Sequence, residues 1–475
     1  MVTATEDQET ILKDLIKAGK ATEFGKEHHF NEIQGHDQFS QAVPIRDYEQ
    51  FKPYIERIKQ GKHNVLWKGK PIYFAKTSGT TSGIKYIPIS RDSISNHINT
   101  ARNALLCYIA SSGNAQFTAG KMIFLSGSPE LERISDIPTG RLSGIVNHHI
   151  PSYLRKNQLP SYETNCIEDW ETKLDRITEE TIKENMTLIS GIPPWMQMYF
   201  DRLTSRTGKK IRDIFPNLSL IVHGGVNFEP YRAKLFDSVG GEIHSIETFP
   251  ASEGFIAFQD SQDNEGLLLN TNSGIYFEFV PAGDIFNRNP KRLSLKDVKL
   301  GENYAIIINN NAGLWGYNIG DTVRFVSLEP YRIVVTGRIK HFISAFGEHV
   351  IGEEVEYSLM KAAQEEHVTI REFTVAPVIA SRGSSYHEWF VEFENKPHDL
   401  QLFAARVDQN LRKKNIYYDD LISGNILTPL NIRPIRRNGF IEYMKSIGKL
   451  GGQNKVPRLS NDRKVAEVLE QFAEQ

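Results

Sequence analysis

KTSGTTSGIKYIPIS, Lys76 to Ser90, is the stretch that sorts the chain. Between Thr77 and Ser82 it holds five hydroxyl side chains and one glycine, followed by Gly83 and a lysine at Lys85. Phosphate groups are held by backbone N–H groups, hydroxyl donors and a nearby cation, and glycine lets the backbone come close. The strand-like PIYFAK just before the tract can hold it firm. A P-loop needs G-x-x-x-x-G-K followed by Ser or Thr. Gly79 and Gly83 are too close for that, Lys85 does not directly follow a glycine, and Tyr86 stands where a hydroxyl residue belongs. A Ser/Thr/Gly cluster alone is more often a solvated polar loop than a phosphate site, so the rest of the chain has to decide.

That rest has an ordinary globular composition: 475 residues, 40% hydrophobic, 24% charged and 10% aromatic. At ~150 residues per domain the length holds about three domain equivalents or two unequal domains, with a core that needs no staples. Lys+Arg 56 against Asp+Glu 58 leaves a formal net charge of -2. That balance gives no reason to expect nucleic acid or an anionic membrane as a partner. Cys107 and Cys166 form no CxxC pair, so free buried thiols in a reducing compartment are expected. MVTATEDQETILKDLIKAGK lacks the basic and apolar segments of a secretory signal, and no run approaches ~18 apolar residues. A cytoplasmic monomer without membrane contact is the expectation.

Helical spacing of Ile11, Leu12, Leu15 and Ile16 predicts an N-terminal helix that Gly19 can stop. KMIFLSG (121–127), LSLIVHGG (218–225) and ENYAIIINN (302–310) read as strands ending in Gly or Asn. Helical patterns at 94–110 and 168–185 lie between them. Alternation over this length predicts layered α/β architecture. In LLLNTNSGIYFEFVPAG, Asn272-Ser273-Gly274 reads as a turn between two β-rich arms, so 265–335 fits an antiparallel sheet or a β-barrel-like portion. Beyond YRIVVTGRIKHFISAFGEHV (331–350) come FTVAPVIA, EWFVEFEN, a helix at about 397–414, NILTPLNIRPI and a final helix at 461–473. The predicted fold is α/β and α+β. A large N-terminal domain of layered sheets and helices spans 1–336, and a small mobile α+β lid spans 337–475, with the boundary near Gly337.

TSGTTSGIK, Thr77 to Lys85, is similar to the phosphate loop of adenylate-forming enzymes, which use ATP to turn a carboxylic acid into acyl-AMP and pyrophosphate. The usual acyl-CoA synthetase form has Gly directly after the threonines and Pro before the lysine; here Ser82 and Ile84 stand there. The chain resembles the auxin-responsive promoter family, the acyl acid-amido synthetases best known from plants. ATEFGKEHHF (21–30) looks like that family's opening, and AVPIRDYEQFKPYIERIKQGKHNVLW (42–67) like its approach to the phosphate loop. ETFPASEGFIAF (247–258) is similar to its aromatic-small-Ser-Glu motif. GYNIGDTVRF (316–325) is similar to its Tyr-x-x-Gly-Asp motif, and GKLGGQNKVPRLS (448–460) to its C-terminal Gln-x-Lys-x-Pro-Arg stretch. Each motif is moderately specific; five in order are strong.

The resemblance implies ATP and Mg²⁺, with a small-molecule carboxylic acid and an amino acid as substrates. Thr77, Ser78, Gly79, Thr80, Thr81, Ser82 and Gly83 would cradle the β/γ-phosphates beside Lys85. Glu253 would help hold Mg²⁺, which commonly binds one or two carboxylates plus substrate oxygens. Thr248, Phe249, Pro250, Ala251 and Ser252 would line the junction of nucleotide and acyl group; in isolation they read as a strand-end turn before a helix. Asp321 would accept from the ribose hydroxyls, or be a turn aspartate after Gly320. Gly224 and Gly225 would admit adenine, or form a plain βα turn. Lys455 would neutralise charge at the α-phosphate and the acyl carboxylate once the small domain closes. Arg338 reads as a ribose contact or as a solvated linker residue. His349 stands where relatives tend to carry lysine.

Other readings stay open from sequence. A thioester-forming acyl-CoA ligase, or a nucleotide-binding homologue without turnover, shares many of these motifs. His148-His149 is a tempting base for amide formation, although paired histidines in a loop are more often structural. The acid pocket is expected around 124–150, 190–200 and Gly254-Phe255. Trp195 and Met198 could serve it, or simply fill core. Neither the acid nor the amine is legible.

Overall fold

The predicted first helix forms over Ala4–Gly19 and buries Leu12, Leu15 and Ile16 along one face. Gln8 shares that face because its amide donates to the carbonyls of Thr271 and Ile275, both at 2.8 Å. Gly19 ends the helix for a packing reason: a Cβ there would stand 2.9 Å from the rings of Phe30 and Trp315. Phe30 meets Trp315 edge-on at 4.9 Å, and Phe24 stacks on both Trp315 and Phe51 at 6.1 Å. ATEFGKEHHF is therefore a packing motif. Asp47 opens the helix Tyr48–Lys59 with a capping box to Gln50, which holds Tyr48 at its first turn.

The computed structural model describes residues 3–80, 83–225, 228–282, 284–285, 287–339, 342–343, 345–348, 350–380, 384–447, 456 and 459–474. Contacts divide the chain into two units. The first comprises Met1–Ile192, Arg202–Gly225 and Ser238–Ile339. Its strands are β1 (Tyr73–Thr80), β2 (Gly83–Ile89), β3 (Lys121–Phe124), β4 (Glu132–Ile134), β5 (Ile137–Arg141), β6 (Gln158–Leu159), β7 (Met186–Gly191), β8 (Leu220–Gly224), β9 (Ser245–Ala251), β10 (Gly254–Phe258), β11 (Leu267–Leu269), β12 (Ile275–Pro281), β13 (Asn303–Asn310), β14 (Tyr317–Leu328) and β15 (Tyr331–Arg338). Four of them form a sheet in the order β2-β1-β5-β4; the rest form one sheet in the order β12-β13-β14-β15-β11-β10-β9-β8-β7-β3-β6. From β6 to β9 neighbours run parallel. From β9 to β12 they run antiparallel. Within the parallel half, β7 buries its first four residues, MTLI, as a strand covered on both faces does.

Residues 265–335 form the antiparallel half of that sheet. The turn at 272–274 exists, with Gly274 at φ +80, but its arms do not pair with each other. β11 lies between β10 and β15, while β12 sits at the far edge beside β13. The helix Ile94–Ser112 accounts for this: Asn96 donates to Ser273 at 2.8 Å, and Asn270 donates to Thr100 at 2.6 Å. The connection is tied to that helix instead of closing a hairpin.

The second unit comprises Pro193–Asp201, Val226–Asp237 and Lys340–Gln475. β16 (Phe342–Ile343) pairs with β17 (Val350–Ile351), and β18 (Thr369–Val378), β19 (Tyr386–Asn395) and β20 (Asn431–Ile435) form a three-stranded sheet. FTVAPVIA and EWFVEFEN supply the antiparallel pair β18–β19, and NIRPI adds β20 parallel to β19. Glu388 is buried in this sheet between Arg433 at 2.8 Å and Arg463 at 2.7 Å. Glu348 and His387, both fully buried, pair at 2.8 Å. Trp195 and Met198 are buried here, and Met198 fills the space that a Cβ on Gly424 would occupy.

Candidate active site

The hydroxyl-rich tract is a β-hairpin, not a free loop. β1 and β2 pair from Tyr73↔Ile89 to Thr80↔Gly83, with Thr77 opposite Lys85 and a register shift between Thr77 and Thr80. Thr and β-branched residues favour a pleated strand; Ala75, Ile87 and Ile89 are buried on one face of the hairpin and Phe74 on the other. Thr81 and Ser82, at the tip, lie outside the described residues; for Ser78, Gly79, Thr80 and Gly83 the backbone alone is described. Lys85 is half-buried, its Nζ 5.8 Å from the centre of the Tyr48 ring. The Tyr86 N–H donates to the Tyr48 hydroxyl at 2.8 Å, and burial pushes that hydroxyl up to about 12.

The motif ETFPASEGFIAF forms a second hairpin. β9 and β10 pair Ala251↔Gly254 and Pro250↔Phe255, leaving Ser252 and Glu253 as the turn. The turn leads to a strand, where the local sequence read alone suggested a helix start. Three side chains secure it. Asn310 donates to the Glu253 carbonyl at 2.7 Å, Tyr317 donates to the Glu253 carboxylate at 3.3 Å, and the Phe255 N–H donates to Asn96 at 2.7 Å. Burial first, and the Glu253 carboxylate next, hold the Tyr317 phenol far above its usual range; Tyr48 and Asp47 add to the effect. The Tyr48 ring centre stands 5.8 Å from the Lys85 Nζ, and Phe51 on the same helix meets the Tyr317 ring edge-on at 5.4 Å. We expect Tyr317→Phe to cost about 1 kcal/mol of stability, the net worth of one buried hydrogen bond. Urea denaturation checks this, and an unchanged midpoint would show that the phenol does not hold the turn.

Gly224 ends β8 opposite Thr248 on β9. A Cβ on Gly224 would fall 2.2 Å from the Thr248 carbonyl oxygen and 2.4 Å from its Oγ1, and that hydroxyl donates to the His223 carbonyl at 2.8 Å. Gly225 follows at φ +79. These residues lie at the C-terminal ends of parallel strands, where open α/β sheets bind ligands. Asp321, 6% exposed, sits on β14 opposite Arg338 on β15, after Gly320 at φ +90. Only the backbone of Arg338 is described, and Lys455 and His349 lie outside the described residues. His148 bonds the Pro129 carbonyl at 2.6 Å, and His149 bonds the Tyr73 hydroxyl at 3.1 Å. Both rings have structural partners.

Sequence reasoning missed Tyr48 as the hub beside Lys85, and missed Asn96 and Asn310 as holders of the Glu253 turn. Asn310 left one signal, an Asn run closing the apolar strand ENYAIIINN. Tyr48 left none beyond its place one residue after the helix cap.

The fold and these motifs define the class of adenylate-forming ligases. Three domains of one family match the chain in order: the GH3 family N-terminal domain over residues 1–166 and 142–243, the central domain over 268–338 and the C-terminal domain over 353–464. The chain belongs to the GH3 family. It is 22% identical to indole-3-acetic acid-amido synthetase GH3.3 of Arabidopsis thaliana, over 98% of this chain and 90% of that protein. It is 26% identical to jasmonoyl–L-amino acid synthetase JAR6 of Nicotiana attenuata, over 95% and 90%. The solved structure of GH3.15 acyl acid amido synthetase shares the fold with a TM-score of 0.60 at 16% identity, covering 100% of this chain and 94% of that one. A 2-hydroxyisobutyryl-CoA ligase bound to 2-HIB-AMP and CoA shares it at 0.59 and 12% identity, covering 99% and 92%.

Proposed function

We propose that the chain is an ATP-dependent acyl acid-amido synthetase. A carboxylate oxygen of the acid attacks the α-phosphorus of ATP, the bond to pyrophosphate breaks, and acyl-AMP forms. The amine of an amino acid then attacks the acyl carbon, AMP leaves, and the amine gives up its proton. The observation that supports this best is the helix Tyr48–Lys59: its Tyr48 hydroxyl takes the Tyr86 N–H beside Lys85, and its Phe51 packs edge-on against Tyr317, which donates to Glu253. Lys85 and Glu253 are thus both tied to one helix, which supports reading them as the cation for the phosphates and the carboxylate for a metal.

In this reading Thr77–Gly83 and Lys85 hold the β/γ-phosphates, and Asp321 and Arg338 hold the ribose. Gly224 and Gly225 admit adenine, while Thr248, Phe249, Pro250, Ala251 and Ser252 line the reacting junction. Lys455 arrives from the C-terminal segment to stabilise charge at the α-phosphate. Glu253 suits Mg²⁺. Among the described residues no cluster of three potential ligands exists, so one carboxylate with phosphate and water oxygens is the fitting donor set. The ion, when bound, neutralises charge on the departing pyrophosphate. Among the described residues no helix is long and apolar enough to cross a membrane.

Purified protein with Mg²⁺-ATP, an acid panel and amino acids is expected to release AMP and pyrophosphate and to form amides detectable by mass spectrometry. Release of ADP and phosphate excludes the mechanism. Consumption of CoA without amide formation favours the thioester ligase, whose fold this chain shares. Glu253→Gln is expected to slow adenylation on the order of 10²-fold and to raise the Mg²⁺ concentration needed for half-maximal rate. An unchanged Mg²⁺ dependence removes Glu253 from the metal.

A further inference from the structure

Two buried carboxylates share one strand, and none of the roles above uses them. On β19, Glu388 is 1% exposed and Glu392 is 3% exposed. Side chains at every second position of a strand share a face, so both carboxylates lie on the face of Phe390, which stands between them. Phe390 belongs to a buried cluster with Phe440, Tyr443 and Met444 of the helix Gly439–Ser446, and with Val456. Val456 directly follows Lys455 in the sequence.

Glu392 accepts the N–H of Asn438 at 2.8 Å and the N–H of Phe440 at 3.3 Å, so its carboxylate closes the start of that helix. A helix N-terminus carries partial positive charge and favours an anion there. Gly439 lets the helix press onto the sheet: a Cβ would fall 2.4 Å from Ile435 Cγ2 on β20. Beyond the lysine, Leu459 bridges to Val375 on β18, and Arg463 donates to Glu388 at 2.7 Å and to the Pro377 carbonyl at 3.3 Å. Arg433 on β20 takes the other Glu388 oxygen at 2.8 Å. One strand therefore grips the chain before Lys455, through Glu392, and after it, through Glu388.

Apolar burial is non-directional, whereas hydrogen bonds to an ionised group have defined geometry. Replacing a buried ion pair by apolar groups of the same volume is often neutral or stabilising, so stability alone does not account for these carboxylates. What they add is placement. A lysine that meets charge developing at a reacting phosphorus needs it, since a shift of about 1 Å in a reacting constellation costs on the order of 10²-fold in rate. We infer that Glu388 and Glu392 are positioning residues for Lys455, Glu392 fixing the helix before it and Glu388, through Arg463, the chain after it. The inference rests on the reading of Lys455 as the residue that acts at the α-phosphate.

The test separates the two half-reactions. ATP–pyrophosphate exchange with the best of benzoate, indole-3-acetate and octanoate reads adenylation; amide formation from the synthetic acyl-adenylate of that acid reads the step that does not use Lys455. Glu388→Gln and Glu392→Gln are each expected to lower the kcat of exchange about 10–100-fold. The KM values for Mg²⁺-ATP and acid, and the rate of amide formation, stay within about twofold. In a Lys455→Ala background neither substitution lowers exchange further, because the group they place is gone. Arg463→Lys keeps the charge without the fork and gives an intermediate loss, and it decides the matter where a Gln variant does not fold. Wild-type exchange in these variants overturns the inference. So does an equal loss in both half-reactions, which would mean general damage, or an undiminished effect in the Lys455→Ala background. Exchange unaffected by Lys455→Ala instead removes the role of that lysine, and no exchange by the wild-type protein with any acid removes the proposed function.

Discussion

Lys455→Ala is expected to lower ATP–pyrophosphate exchange by about 10³-fold while leaving the melting temperature unchanged. The lysine stands in GKLGGQNKVPRLS, whose neighbouring positions Val456 and Leu459 are buried. Leu459 bridges to Val375 on β18, and the Ser460 N–H donates to the Val375 carbonyl at 2.9 Å. Val456 and residues 459–460 are thus held by apolar burial and backbone hydrogen bonds, neither of which depends on an ammonium. A cation rewards catalysis most where negative charge develops, as at the α-phosphate, and that is the role proposed for Lys455. Lys455→Arg keeps the charge but changes its reach and geometry, so partial activity is expected. Exchange at the wild-type rate in Lys455→Ala, or a large fall in melting temperature, refutes this role.

Gly224→Ala is the second large effect, and it begins with packing. The new Cβ would fall 2.2 Å from a backbone oxygen on β9, a neighbour that cannot swing aside as a flexible side chain would. Parallel strands β8 and β9 must separate there, at a cost of about 3 kcal/mol. Thr248 shifts with them, so adenylation falls as well as stability. Gly35→Ala is the matched control, because nothing lies within 4 Å of a Cβ at Gly35 and its backbone is extended; it is expected to stay within about 0.5 kcal/mol of the parent. Chemical denaturation of both variants checks the pair. Equal midpoints would mean that the strands at Gly224 have slack.

Much of this was legible because it is local. The strands at 121–124, 220–224 and 303–310 and the helix Ile94–Ser112 follow from runs of apolar residues at period two or 3.6. The motifs around Thr77, Thr248 and Asp321 were likewise visible as short ordered words. The arms around Asn272-Ser273-Gly274 were not placed correctly, because periodicity reports that a strand exists and not which strand it joins. Asn96 and Thr100, more than a hundred and fifty residues away, decide that. The residue types of the Ser/Thr/Gly tract are those of loops, and pairing against GIKYIPI makes it a strand.

By itself, then, the amino-acid order determined the family, the run of elements and the identity of the chemical groups, since each is carried by neighbouring residues. Tertiary structure alone decided that one helix, through Tyr48 and Phe51, meets both the strand that carries Lys85 and the tyrosine that holds Glu253. It also decided that Pro193–Asp201 and Val226–Asp237 group with the residues after Lys340. Hydrogen bonds and burial between distant segments depend on how whole sheets and helices pack, and no window of sequence contains that information.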